Sequence, residues 1–169
     1  MADKIFRINM TDLQCTVEEV PAAWMGLGGR GLTSTIVAAE VKPDCHPLGP
    51  HNKLVIAPGL LSGTPAANSG RLSCGAKSPL TGTIKEANSG GTSAQMLARL
   101  GVKALIIEGK PQDANAWYGL TVNADGVKIA KEKEVIGLGN FAVVDILNKR
   151  AGGKIGLLIT GPAGEMKMS

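Results

Sequence analysis

Residues 58–91 read PGLLSGTPAANSGRLSCGAKSPLTGTIKEANSGG. They hold seven glycines (Gly59, Gly63, Gly70, Gly75, Gly82, Gly90 and Gly91), scattered Ser and Thr, and only four charges, Arg71, Lys77, Lys85 and Glu86. A stretch this poor in charge does not behave as a solvated linker. One this rich in glycine does not make an ordinary helix, because each interior Gly costs about 1 kcal/mol relative to Ala. The reading left is backbone folded tightly against something, with N–H groups, small hydroxyls and a few cations facing it. Flat anions suit such a surface: phosphates, nucleotides or pterins. Short strands are expected at 71–76 and 82–86. Asn88-Ser89-Gly90-Gly91 reads as a helix start, with Ser89 or Thr92 as cap, leading into a helix over 92–100 that Gly101 ends.

Upstream, residues 4–10 alternate apolar and polar, a turn follows at Thr11-Asp12, and residues 13–20 continue in strand-like residues, which predicts a β-hairpin. Pro21 opens a short helical stretch. The glycines from Gly26 to Gly31 break it, and a helix resumes over 32–41. Their spacing is wrong for a dinucleotide loop, so they read as a packing or hinge feature. Three prolines make 42–50 a loop, and 54–57 is a short apolar strand. Downstream, 104–108 is a buried strand, and 117–122 and 127–130 form a hairpin around Asn123-Ala-Asp-Gly126. Residues 141–149 are helical. Residues 154–160 read as another buried strand, Gly161-Pro162-Ala163-Gly164 as a turn, and 166–169 as the start of a further strand. Strands outnumber helices and hairpins outnumber βαβ units, which gives an α+β class.

The chain has 169 residues, enough for one domain with a real core. Aromatics make up 3% of it, so stacking platforms for bases are nearly absent, which argues against a single-strand nucleic-acid binder. The net charge of +4 is spread without a basic run. No apolar run approaches a membrane span and the N-terminus is strand-like, so a cytoplasmic protein without membrane contact is expected. Cys15, Cys45 and Cys74 form no CxxC pair, which argues against a disulfide framework and against a complete metal or iron–sulfur site in this chain. Cys45, His46 and His51 lack a fourth ligand, and Cys74 has no local base to activate it. Arg71 and Lys77, in the charge-poor stretch, are candidates to bond a phosphate or heterocycle edge, with an Arg71 simply exposed at a strand start as the alternative. No catalytic set is legible.

Several segments together resemble one family. They are LVIAPGLLSGT at 54–64, SGR at 69–71, KSPLTG at 77–82, ANSGG at 87–91 and IIEGK at 106–110, joined by RINM at 7–10, GRGL at 29–32, NKL at 52–54 and GPAGE at 161–165. In this order they resemble the N-terminal domain of the aldehyde ferredoxin oxidoreductases, which are tungsten or molybdenum enzymes. The resemblance spans nearly the whole chain. It implies an α+β domain over residues 1–169, with two β-sheets and a few short helices forming a base for a bis-pyranopterin cofactor. It places Arg71, Asn88, Ser89, Gly90 and Gly91 against the pterin and its phosphates. It also gives the Asn88 backbone carbonyl a share in holding a Mg2+ ion.

The whole enzyme would oxidise aldehydes to carboxylic acids and pass electrons through a [4Fe-4S] cluster to ferredoxin or a similar carrier, as a homodimer or heteromer. The cluster cysteines, the substrate site and an Arg-Ala loop completing the cofactor cradle belong to later sequence, so the resemblance implies a domain cut short at its C-terminal end and inactive alone. A stand-alone, non-catalytic pterin- or phosphate-binding module is the other reading that the residues allow.

Overall fold

A computed structural model describes residues 3–168. The chain begins with the expected hairpin, β1 (Lys4–Asn9) and β2 (Gln14–Glu19). A single 3-10 turn, Ala22–Trp24, leads to α1 (Gly29–Glu40). Strands β3 (Lys53–Pro58), β4 (Arg71–Lys77) and β5 (Ile84–Gly90) follow, then α2 (Thr92–Arg99) and β6 (Val102–Glu108). A hairpin of β7 (Trp117–Asn123) and β8 (Gly126–Glu132) precedes α3 (Asn140–Ala151) and α4 (Gly161–Glu165).

The first six strands form one sheet in the order β2-β1-β6-β3-β4-β5, and β7 and β8 form a second, two-stranded sheet. The expected α+β class with two sheets and few short helices is the architecture observed. Every neighbouring pair is antiparallel except β1 and β6.

Strand periodicity divides the core into two layers. On one face of the large sheet, Ile5, Val55, Ala57, Ala104 and Ile106 meet Leu32, Ile36 and Val37 of α1. These helical residues recur at 3.6-residue spacing, so α1 lays one stripe on the sheet. On the other face, Phe6, Ile8, Ile56, Leu72 and Leu105 are covered by Ala94 and Leu97 of α2 and by Leu120, Val122, Val127 and Ile129 of the second sheet. Each fully buried Leu, Ile or Phe contributes about 1.5–3 kcal/mol.

Several expectations need correction. The helix expected over 32–41 begins at Gly29, so the last three residues of the supposed break form its first turn. The strand expected at 82–86 is instead β5, and Asn88, Ser89 and Gly90 are paired with β4 rather than opening a helix. The N-cap of α2 is Gly91, at φ 119°, with no side-chain cap from Ser89 or Thr92. Residues 154–160 form no strand and are mostly solvent-facing, residues 161–165 are a short helix rather than a turn, and 166–168 are not strand; Ser169 lies outside the described residues.

Candidate functional site

Within the glycine-rich stretch, the β4–β5 turn with Gly82 lies at one end of the large sheet, while Gly59, Gly70, Gly90 and Gly91 gather at the other. There β4 begins, β5 ends, and both α1 and α2 start. Arg71 and Asn88 lie on β4 and β5, in the register Arg71↔Gly90 and Ser73↔Asn88. Alternation puts Arg71, Ser73, Asn88 and Gly90 on the α1 face, and Leu72 and Ser89 on the other. Ser89 therefore meets anything above Arg71 only through its backbone. The structure brings Arg71, Asn88 and Gly90 together, with Gly91 at the adjoining corner.

Arg71 Nε donates to Asn88 Oδ1 at 2.5 Å, and Asn88 Nδ2 donates to Ser73 Oγ at 3.0 Å. No carboxylate lies within ion-pair distance of Arg71 among the described residues. Its guanidinium is exposed and its Nη groups are uncommitted. A Cβ on Gly90 would sit 3.2 Å from Arg71 Nη1, so a side chain there would crowd the cation.

Two helix starts border the pair. Neither Gly28, the N-cap of α1, nor Gly91 offers a side-chain cap. Free N–H groups at a helix start carry partial positive charge and suit anions. Gly29, in the first turn of α1, packs beside Ser73, whose Oγ would lie 3.5 Å from a Cβ placed there. Two buried polar atoms lack a partner among the described residues, Ser69 Oγ and Glu86 Oε1. They lie two residues before Arg71 and two before Asn88. The α1 start, Ser73, Ser69 and Glu86 were missed in the sequence. Ser69 and Gly29 stood out only within the resembling segments SGR and GRGL, and Ser73 and Glu86 only by position in the glycine-rich stretch.

Lys77 does not join this surface. Its side chain is buried and donates to the carbonyls of Pro43 and Cys45, at 2.5 and 2.6 Å. It pins the proline loop, as Asn52 does by donating to the Pro47 and Lys77 carbonyls. Burial, and then the charge of Glu86, push the Cys74 thiol up, so it is held as a neutral thiol rather than a nucleophile. Among the described residues no three His, Cys, Asp or Glu side chains come together to hold a metal ion. No helix among them is long and apolar enough to cross a membrane.

A second polar feature lies at the opposite end of the same face. Arg7 donates to Glu18 and Glu40 and reaches Glu108, while Lys53 pairs with Glu40 and Glu108. Burial raises the Glu40 carboxyl, but hydrogen bonds from Arg7 and Lys53 outweigh it and hold the group below the ordinary range. Glu40, then Glu18, hold the Arg7 guanidinium charged at any accessible pH. The five side chains clamp β1, β2, β3, β6 and the end of α1.

A layered α+β domain with an exposed, unpaired arginine at one end of its large sheet is the class that this fold and site define. The chain belongs to the aldehyde ferredoxin oxidoreductase family: the family's model, "Aldehyde ferredoxin oxidoreductase, N-terminal domain", matches residues 5–169. It is 35% identical over 165 residues to the tungsten-containing aldehyde ferredoxin oxidoreductase of Thermococcus kodakarensis, and 34% identical over 165 residues to that of Pyrococcus furiosus. With the enzyme of Pyrococcus abyssi it shares 36% over 170 residues. These alignments cover 96–98% of this chain and 27% of each relative, so the chain spans about a quarter of the length of the relatives it matches. Among solved structures, it resembles the active site complex BamBC of benzoyl coenzyme A reductase in complex with 1,5-dienoyl-CoA. The TM-score is 0.81 at 27% identity, covering 88% of this chain and 23% of that one.

Proposed function

We propose that this chain is the cofactor-binding base of an aldehyde-oxidising oxidoreductase, a single domain over residues 1–169 that holds one face of a tungsten or molybdenum bis-pyranopterin. The observation that carries this reading is the uncommitted Arg71 guanidinium, oriented by Asn88 at the sheet end where two helices start without side-chain caps. Its charge and exposed Nη donors fit a pterin phosphate. The unpartnered Ser69 and Glu86 oxygens and the bare Gly90 fit a surface that a flat ligand completes.

In this reading Arg71, Asn88, Gly90 and Gly91 face the cofactor, and Ser89 contributes main chain. The Asn88 backbone carbonyl would help to hold a Mg2+ ion there. The bound group supplies the redox chemistry, while these residues hold and orient it. Substrate oxidation, the [4Fe-4S] cluster and delivery of electrons to ferredoxin belong to sequence beyond this quarter of the family's length. A cytoplasmic setting goes with that partner.

Elemental and pterin analysis tests the reading. Protein purified from its own cells, together with whatever polypeptide carries the rest of the enzyme, should contain tungsten or molybdenum and release phosphorylated pterin on denaturation. A preparation with neither metal and no pterin contradicts it.

A further inference from the structure

We infer that Ser73 is a positioning residue for the anion-facing arginine. This rests on the proposal that Arg71 meets the phosphates of the cofactor. A guanidinium Nε only donates, so the Asn88 atom facing it is the carbonyl oxygen Oδ1. The Asn88 amide nitrogen is thereby turned to Ser73, whose Oγ accepts from it.

Asn88 is exposed on an edge strand, and an exposed amide rotates freely unless something fixes it. Ser73 is fully buried between the sheet and the start of α1, so its hydroxyl is a fixed point. The three side chains form a line from core to surface. Ser73 sets the amide, the amide holds Nε, and both Nη groups are left outward for the ligand. An apolar residue at 73 would free the amide to turn its nitrogen toward Nε, where two donors would repel.

The test is solvent exchange of the Arg71 Nε–H proton, followed by NMR in the 15N-labelled chain and assigned with Arg71→Lys. In the unaltered chain this proton should exchange about tenfold more slowly than those of the exposed Arg30 and Arg99, the protection expected of one charge-assisted hydrogen bond. Ser73→Ala should bring it to their level while backbone amides of Val55 and Ile106 keep their protection, and Ser73→Thr should retain it. In an Asn88→Ala background, Ser73→Ala should change nothing further. Unchanged protection in Ser73→Ala, or an equal effect with and without Asn88, overturns the assignment.

Pyrophosphate titration separates this from the reading beneath it. Arg71→Lys and Ser73→Ala should each weaken pyrophosphate binding several-fold. Weakening by Arg71→Lys alone refutes only the role of Ser73. No effect of either variant refutes the anion site itself.

Discussion

Gly75 carries no side chain because Thr33 occupies the space: a Cβ at 75 would come within 2.7 Å of the Thr33 Cβ and Oγ1. This contact sets how closely α1 lies on β4, and so where Gly29 stands relative to Ser73 and Asn88. Gly75→Ala should destabilise the chain by about 1–3 kcal/mol through overpacking, read from the midpoint of urea unfolding. A midpoint unchanged from the parent chain would show that α1 has room to shift. Arg71 stood out in the sequence as a candidate ligand residue because a single Arg in a charge-poor, glycine-rich stretch has few structural uses. Lys77 had the same sequence appearance but is buried against backbone carbonyls, which local composition does not reveal. Ser73 was invisible because its role depends on the β4–β5 register.

At the scale of elements, the hairpins and the α1 stripe follow from hydrophobic periodicity. The misread elements are those whose local composition points away from the state that tertiary pairing imposes. Asn88, Ser89 and Gly90 are poor strand formers, yet pairing with β4 holds them in strand. Residues 154–160 have the apolar content of a strand but pair with no strand among the described residues. They pass α2, where Ser93 Oγ donates to the Leu157 carbonyl. The ion cluster was equally hidden, since its members stand at positions 7, 18, 40, 53 and 108. Because Glu40 is depressed in the folded chain, its contribution is complete above the ordinary carboxylate value and is lost as pH falls through its folded value. Stability should therefore fall below about pH 4, and Glu40→Gln should flatten that acid limb while costing about 1–3 kcal/mol at neutral pH. Parallel pH profiles for variant and parent would contradict this.

The whole molecule is unevenly held. The large sheet is covered on both faces, whereas residues 133–168 are attached mainly by polar contacts. Arg150 pairs with Glu132 and Ser93 Oγ donates to the Leu157 carbonyl, while Val143 is the one buried apolar side chain there among the described residues. Phe141 of α3 is 92% exposed. Few buried apolar contacts mean low local stability. Backbone amides of α3 and α4 should exchange with solvent faster than those of β1, β3 and β6, as followed by hydrogen–deuterium exchange. Equal protection would show a cooperative unit that the packing does not suggest.

The central claim is that Arg71 holds the cofactor. The direct measurement is tungsten, molybdenum and phosphorylated pterin per chain in the enzyme purified from its own cells, with and without Arg71→Ala, alongside thermal melting. The account predicts that the parent protein carries metal and pterin and that Arg71→Ala loses most of both, roughly tenfold or more for a lost charge-assisted contact, in a protein that still melts cooperatively. Equal metal and pterin content in the two proteins would contradict it.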